Sequence, residues 1–215
     1  MMKIEILVVG PIQTNCYLII NEERKTAIIV DPGANGKGIV GRLKDEGLTP
    51  EAILLTHGHY DHTEGVPEFC RRNERADIIL HKDAFRKTFG IGPDGSLEGE
   101  TTGIRWSEEE RKEISSRLKL TDRELWLTEN IVVSGTIHEL SGFRPTERFY
   151  EVTEDGLVPD TMSHEQFMAI KQDGGIYVFS GCSHRGVIPI IRHAKELFPG
   201  LPVKGLVAGM HLYYA

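Results

Sequence analysis

THGHYDH, residues 56–62, sets three histidines and an aspartate within the six positions 57–62, directly behind the apolar run Ile53-Leu54-Leu55. The run has the composition of a parallel strand covered on both faces. Gly58 lets the chain turn at the strand's end. Alternate residues of an extended segment share a face, so His57 and His59 can converge on one ion. Asp61 and His62 are neighbours at the entrance to the next helix and point elsewhere. The spacing therefore predicts two metal ions side by side rather than one closed tetrahedron.

Other segments frame this centre. Ile4 to Val9, Cys16 to Ile20 and Ala27 to Val30 read as a β-meander, followed by a helix from about Gly38 to Glu46. Thr63 to Asn73 can be helical, with Pro67 in its first turn or at a kink. Ile78 to His81 is a short strand. The glycine-rich stretch from Phe89 to Arg105 reads as a long loop, and Ser107 to Lys119 as a mostly polar helix with a capping box at Ser107 and Glu110. Further strands are expected at Ile131 to Ser134, Thr136 to Leu140, Phe149 to Thr153, Ile176 to Ser180 and Pro202 to Ala208, with a helix from about Gly186 to Leu197. Strands and helices alternate in an α/β (α+β) pattern. The length of 215 residues suits one domain, 1–215, with a cap insertion at about 83–120.

THGHYDH matches the HxHxDH signature of the metallo-β-lactamase superfamily. GPIQTNCYLI at 10–19 and IIVDPG at 28–33 resemble the first strands of its glyoxalase II-like hydrolases. SGCSHRGVIPII at 180–191 and GMHL at 209–212 resemble the branch of dihydropterin ribofuranosyl-aminobenzene phosphate synthase-like proteins. The resemblance implies a four-layer αββα sandwich. It also implies that metal is held by His57, His59, Asp61, His62, His184 and His211, and that Asp31 of VDPG orients the metal loop. Asp61 and His184 are the candidate catalytic residues, handling the proton of an attacking water.

Cys182 stands where most superfamily members carry a bridging aspartate. Two dications opposed by Asp61 alone leave a charge of about +3. A Cys182 thiolate and a bridging hydroxide would reduce it to about +1. A small buried hydrophobe is the equal alternative for Cys182. His138 lies where many members supply a third ligand, although GTIHEL does not resemble their pattern, and His81, His164 and His193 read as solvent-facing or hydrogen-bonded residues.

The implied cofactors are two divalent ions, zinc first and iron or manganese as alternatives. The implied reaction is hydrolysis of an ester, thioester or phosphodiester by a metal-activated hydroxide. Three other readings stand beside it: a metal-dependent transferase like the named synthase, mononuclear iron oxygen chemistry on a persulfide as in some glyoxalase II-like relatives, or a degenerate member that binds metal without turnover. A net charge of −7 disfavours nucleic acid as a partner. If the Cys182 thiolate does not take part, the positive centre would rely on a small, anionic substrate. Three scattered cysteines suit a reducing cytoplasm, and no apolar run approaches the roughly 20 residues of a membrane span. If the strand and helix that many proteins of this branch carry after GMHL are missing, an outer sheet edge is exposed, and a homo-oligomer is one way of covering it.

Overall fold

A computed structural model describes residues 2–92, 96–138 and 149–210. In chain order the elements are strands β1 (Met2–Val9), β2 (Thr14–Asn21) and β3 (Thr26–Val30), helix α1 (Gly36–Asp45), β4 (Thr49–Leu54), α2 (Tyr60–Thr63), α3 (Gly65–Cys70), β5 (Asp77–His81) and β6 (Thr88–Gly90). There follow α4 (Glu108–Ile114), a 3-10 turn at Ser115–Arg117, β7 (Leu118–Thr121), β8 (Leu125–Thr128), β9 (Ile131–Val133), β10 (Phe149–Thr153), β11 (Gly156–Pro159), β12 (Phe167–Gln172), β13 (Gly175–Ser180), α5 (Val187–Leu197) and β14 (Val203–Val207). The chain divides into two compact units, Met1–Leu80 with Thr102–Leu120, and His81–Thr101 with Thr121–Ala215.

The first unit is built on a six-stranded sheet ordered β1-β2-β3-β4-β5-β7. The meander β1-β2-β3 is antiparallel, and β3-β4 and β4-β5 are parallel. Ile53, Leu54 and Leu55 are fully buried, as a strand covered on both faces requires. Helix α1 starts at Asn35, whose side chain accepts from the Gly38 N–H, and buries Ile39, Val40 and Leu43. It lies close to α3, because a Cβ on Gly36 would run into the backbone of Phe69 and Gly65. Only a residue without a side chain permits that approach.

The second unit holds a five-stranded sheet ordered β14-β13-β12-β9-β8 and a three-stranded sheet ordered β11-β10-β6. Its core joins Val132, Phe167, Ala169, Ile176 and Val178 of the larger sheet to Ile190 and Ala194 of α5. Helix α5 presents this apolar stripe at helical spacing while Ile188 and Arg192 face outward.

Several elements depart from the sequence reading. The helix expected over 107–119 ends at Ile114, and the alternating Leu118-Lys119-Leu120-Thr121 becomes a strand beside β5. The Arg117 guanidinium donates to the carbonyls of Ala76 and Asn73, which draws the chain out of the helix and alongside the sheet. Residues 136–138 are not a strand; Thr136 instead bonds through its N–H to the Asp122 carbonyl and through its hydroxyl to His81 Nε2. The rest of that expected strand, 139–140, lies outside the described residues. Strands β6, β8, β11 and β12 were not anticipated, and β6 takes up the first residues of the expected loop 89–105 by pairing with β10. Residues 102–120 belong to the first unit and 83–101 to the second. Among the described residues no helix is long and apolar enough to cross a membrane.

Candidate metal centre

Two adjacent parallel strands of the first unit deliver the residues that matter. Val30 of β3 pairs with Leu54 of β4, so the chain leaves both strands side by side. Asp31, the residue after β3, is fully buried and takes a left-handed backbone with φ 51°. Such a conformation is uncommon outside glycine and persists where the surroundings impose it. Here the Asp31 N–H donates to the Leu54 carbonyl at 3.0 Å, and its own carbonyl accepts from Gly33. The turn aims the carboxylate at the residues behind β4. Thr56 donates to it twice, from its N–H to Oδ1 at 2.8 Å and from its hydroxyl to Oδ2 at 2.6 Å. His62 Nδ1 lies 2.9 Å from the same Oδ2.

The four residues of the motif form two donor pairs. His57 Nε2 is 3.1 Å from His59 Nδ1, and Asp61 Oδ2 is 3.4 Å from His62 Nε2. His57 and His62 do not diverge as far as their spacing suggested. Their ring centroids are 4.2 Å apart, and ligand atoms of Asp31, His57 and His62 lie within 4.8 Å of one another. Helix α2 causes this by starting at Tyr60 and turning His62 back beneath the strand end. Asp61 is also anchored from β2, where the Thr14 hydroxyl donates to Oδ2 at 3.0 Å.

This donor set fits a metal. Nitrogen and oxygen ligands bind zinc at about 2.0–2.2 Å, which in a tetrahedron sets neighbouring donors roughly 3.3–3.6 Å apart. The Asp61–His62 pair meets that spacing, and the His57–His59 pair comes within a few tenths of an ångström of it. All three imidazoles are buried, and the Asp31 carboxylate behind His62 supplies the outer-shell partner typical of metal-binding histidines.

Residues 102–106 brace the motif from its outer side, a role with no sequence signal beyond a tryptophan after a glycine-rich run. The Tyr60 N–H donates to the Thr102 carbonyl at 2.9 Å, and Trp106 Nε1 donates to the Thr63 carbonyl at 2.9 Å. The Arg105 guanidinium lies over the Tyr60 ring, 3.8 Å from its centroid.

The second unit carries the remaining candidates on the loop after β13. His184 is buried there, with Phe149 edge-on to its ring at 5.7 Å, and Cys182 is half-buried. Glu165 builds this loop. Its two carboxylate oxygens accept from the His184 and Arg185 N–H groups, each at 2.7 Å, while Arg185 reaches back to the Thr161 carbonyl. Burial pushes the Glu165 carboxyl above its ordinary range, against the His184 charge and the two N–H donors. Sequence reasoning missed Glu165, because SHEQF carries no motif. His164 is paired with Asp160, with 3.3 Å between Nε2 and Oδ2. His138 is exposed, 2.9 Å from Glu196 and stacked on His193 at 3.9 Å. His211 lies outside the described residues.

The profile described as "Metallo-beta-lactamase superfamily" matches residues 9–158. The 7,8-dihydropterin-6-methyl-4-(beta-D-ribofuranosyl)-aminobenzene-5'-phosphate synthase of Methanocaldococcus jannaschii is 25% identical over 196 residues, 87% of this chain and 66% of that protein. A probable metallo-hydrolase of Bacillus subtilis is 42% identical over 82 residues, 38% of this chain and 37% of its own length. The chain thus spans at most about two thirds of either relative. A solved metal-dependent hydrolase of the beta-lactamase superfamily superposes with a TM-score of 0.74 at 21% identity, covering 100% of this chain and 78% of that one. With a profile match over most of its length, a shared fold and paired donors behind a buried strand, the chain belongs to the metallo-beta-lactamase superfamily.

Proposed function

We propose that the protein is a metal-dependent hydrolase of a small, anionic ester, thioester or phosphodiester. The observation that carries this reading is the pairing of four buried or half-buried donors, His57 with His59 and Asp61 with His62, at 3.1 and 3.4 Å. Two pairs favour two divalent ions, with zinc first among them. Bound ions supply polarisation of a carbonyl or phosphoryl oxygen and acidify water. Asp61 and His62 would hold one side of the centre and His57 and His59 the other, while Thr14 keeps the Asp61 carboxylate in place. From the motif resemblance, His184 and His211 are proposed as further ligands, and Asp61 or His184 as the group that handles the proton of the attacking water. Cys182, a thiol on the same loop as His184, is the proposed source of additional negative charge. The acidic chain and its three scattered cysteines suit a cytoplasmic enzyme acting on small molecules, without nucleic acid, and a homo-oligomer is proposed for it.

The reading is tested by metal analysis with turnover of nitrophenyl phosphodiesters and thioesters in water. Two ions per chain and hydrolysis that falls at least about 100-fold in Asp61→Asn support it, a loss equal to about 2.7 kcal/mol of transition-state stabilisation. Metal retention without turnover of any panel member would leave the non-catalytic reading in its place. A transferase reading is favoured by the synthase relative matched over 87% of this chain. Turnover that requires a dihydropterin and an aromatic amine together, with none in water alone, would select it.

A further inference from the structure

We infer that Thr56 is a positioning residue that fixes the ring tautomer of His57, so that Asp31 sets the metal-facing nitrogens of two histidines, one through the Thr56 hydroxyl and one directly. The inference rests on the metal-binding reading above and extends it to residues that touch no ion.

A carboxylate can only accept hydrogen bonds, and a threonine hydroxyl has a single proton to give. At 2.6 Å from Asp31 Oδ2, that proton is committed to the carboxylate. The Thr56 oxygen therefore meets His57 Nδ1, 3.0 Å away, as an acceptor, and the ring must bring the hydrogen. A neutral imidazole protonated on Nδ1 has its lone pair on Nε2, the atom that faces His59 Nδ1. The opposite tautomer would set two lone pairs against each other at 3.0 Å. Asp31, Thr56 and His57 are all 0% exposed, so bulk water does not relieve that repulsion. The second branch is shorter. His62 Nδ1 donates straight to Asp31 Oδ2, which leaves its Nε2 lone pair on the side of Asp61. One carboxylate, held in its unusual φ of 51°, thus presents both rings in the form an ion can bind before any ion arrives.

The tautomers are read directly by long-range proton–nitrogen NMR of the metal-free protein, and zinc affinity by competition with a chromophoric chelator. The wild type is expected to show His57 and His62 both protonated at Nδ1. Thr56→Val, which keeps the shape and removes the acceptor, is expected to populate the Nε2-protonated form of His57 alone and to weaken zinc about 10–100-fold, whereas Thr56→Ser stays within about threefold of wild type. Asp31→Asn is expected to disturb both rings. Nε2-protonated His57 in the wild type overturns the proposal even if no variant folds. So does wild-type zinc affinity in Thr56→Val, or a loss in Thr56→Ser as large as in Thr56→Val. A wild type that binds no zinc would instead defeat the metal-binding reading, and the metal-free spectra would still decide the relay.

Discussion

Gly33 shows how tightly the metal loop is set against its support. A Cβ built there would fall on the carbonyl oxygen of Asp61, with the His62 Cα behind it at 3.2 Å, and neither is the free end of a flexible side chain. The backbone of 61–62 would have to move, and with it the two donors held 3.4 Å apart. Gly33→Ala is therefore expected to cost about 3 kcal/mol, at the upper end of overpacking, and to weaken metal binding as well as folding. Urea unfolding with and without zinc checks both halves. An alanine variant of wild-type stability would mean the loop has room that the packing denies. At this scale the cluster of donor side chains was legible because donor type and spacing are properties of the sequence itself. Asp31 was legible only through the VDPG resemblance. Thr56 and Glu165 were not, since their roles come from hydrogen bonds across 25 and 19 residues of sequence.

Elements were read best where one periodicity governed them. The meander, α1, the buried strand of the motif and α5 follow from alternation or helical spacing. Helix α4 carries the expected capping box, with Ser107 accepting from the Glu110 N–H and Glu110 accepting from the Ser107 N–H. Its end was misjudged because Leu118-Lys119-Leu120-Thr121 alternates like a strand while its neighbours favour helix, and a tertiary partner decides the outcome. That partner is the run 73–76, whose carbonyls receive the Arg117 guanidinium at 2.7 and 2.8 Å. Strand β12 was missed for a different reason. Phe167, Met168, Ala169 and Ile170 are all buried, so the segment has no polar face to mark its period. The Arg117 contacts give a prediction at the same scale. Arg117→Ala should destabilise the first unit by about 2 kcal/mol, the loss of charge-assisted bonds to backbone acceptors, and Arg117→Lys should recover only part of it because a lysine cannot fork across both carbonyls. Thermal unfolding ranks the three proteins. Equal midpoints would show that water replaces the guanidinium at no cost.

Across the whole molecule, stability should be sensitive to acid for a reason separate from metal binding. Burial pushes His81 down to about 4, and burial together with the neighbouring His138 pushes His193 down to about 4, from an ordinary 6.5. Burial would raise the Asp160 carboxyl, yet the His164 ring and the Met162 N–H hold it below its ordinary value. The signs agree. Between pH 6.5 and about 4 the unfolded chain binds a proton at each of the two histidines that the folded chain refuses, so unfolding becomes more favourable as pH falls through that window. Asp160 adds to the loss only below its unfolded value, where the unfolded carboxylate protonates first. Each histidine contributes a slope of up to about 1.4 kcal/mol per pH unit. Urea midpoints of the metal-free protein from pH 7 to 4 should therefore fall steeply below about 6. The slope of His193→Asn should be shallower by up to about 1.4 kcal/mol per pH unit, because the substituted ring no longer takes a proton on unfolding. Comparing slopes removes whatever the His57–His62 cluster contributes, since that cluster is common to both proteins. Identical slopes would mean that His193 is protonated as readily in the folded chain as in the unfolded one, and that its burial against His138 and Phe167 leaves water a path to the ring.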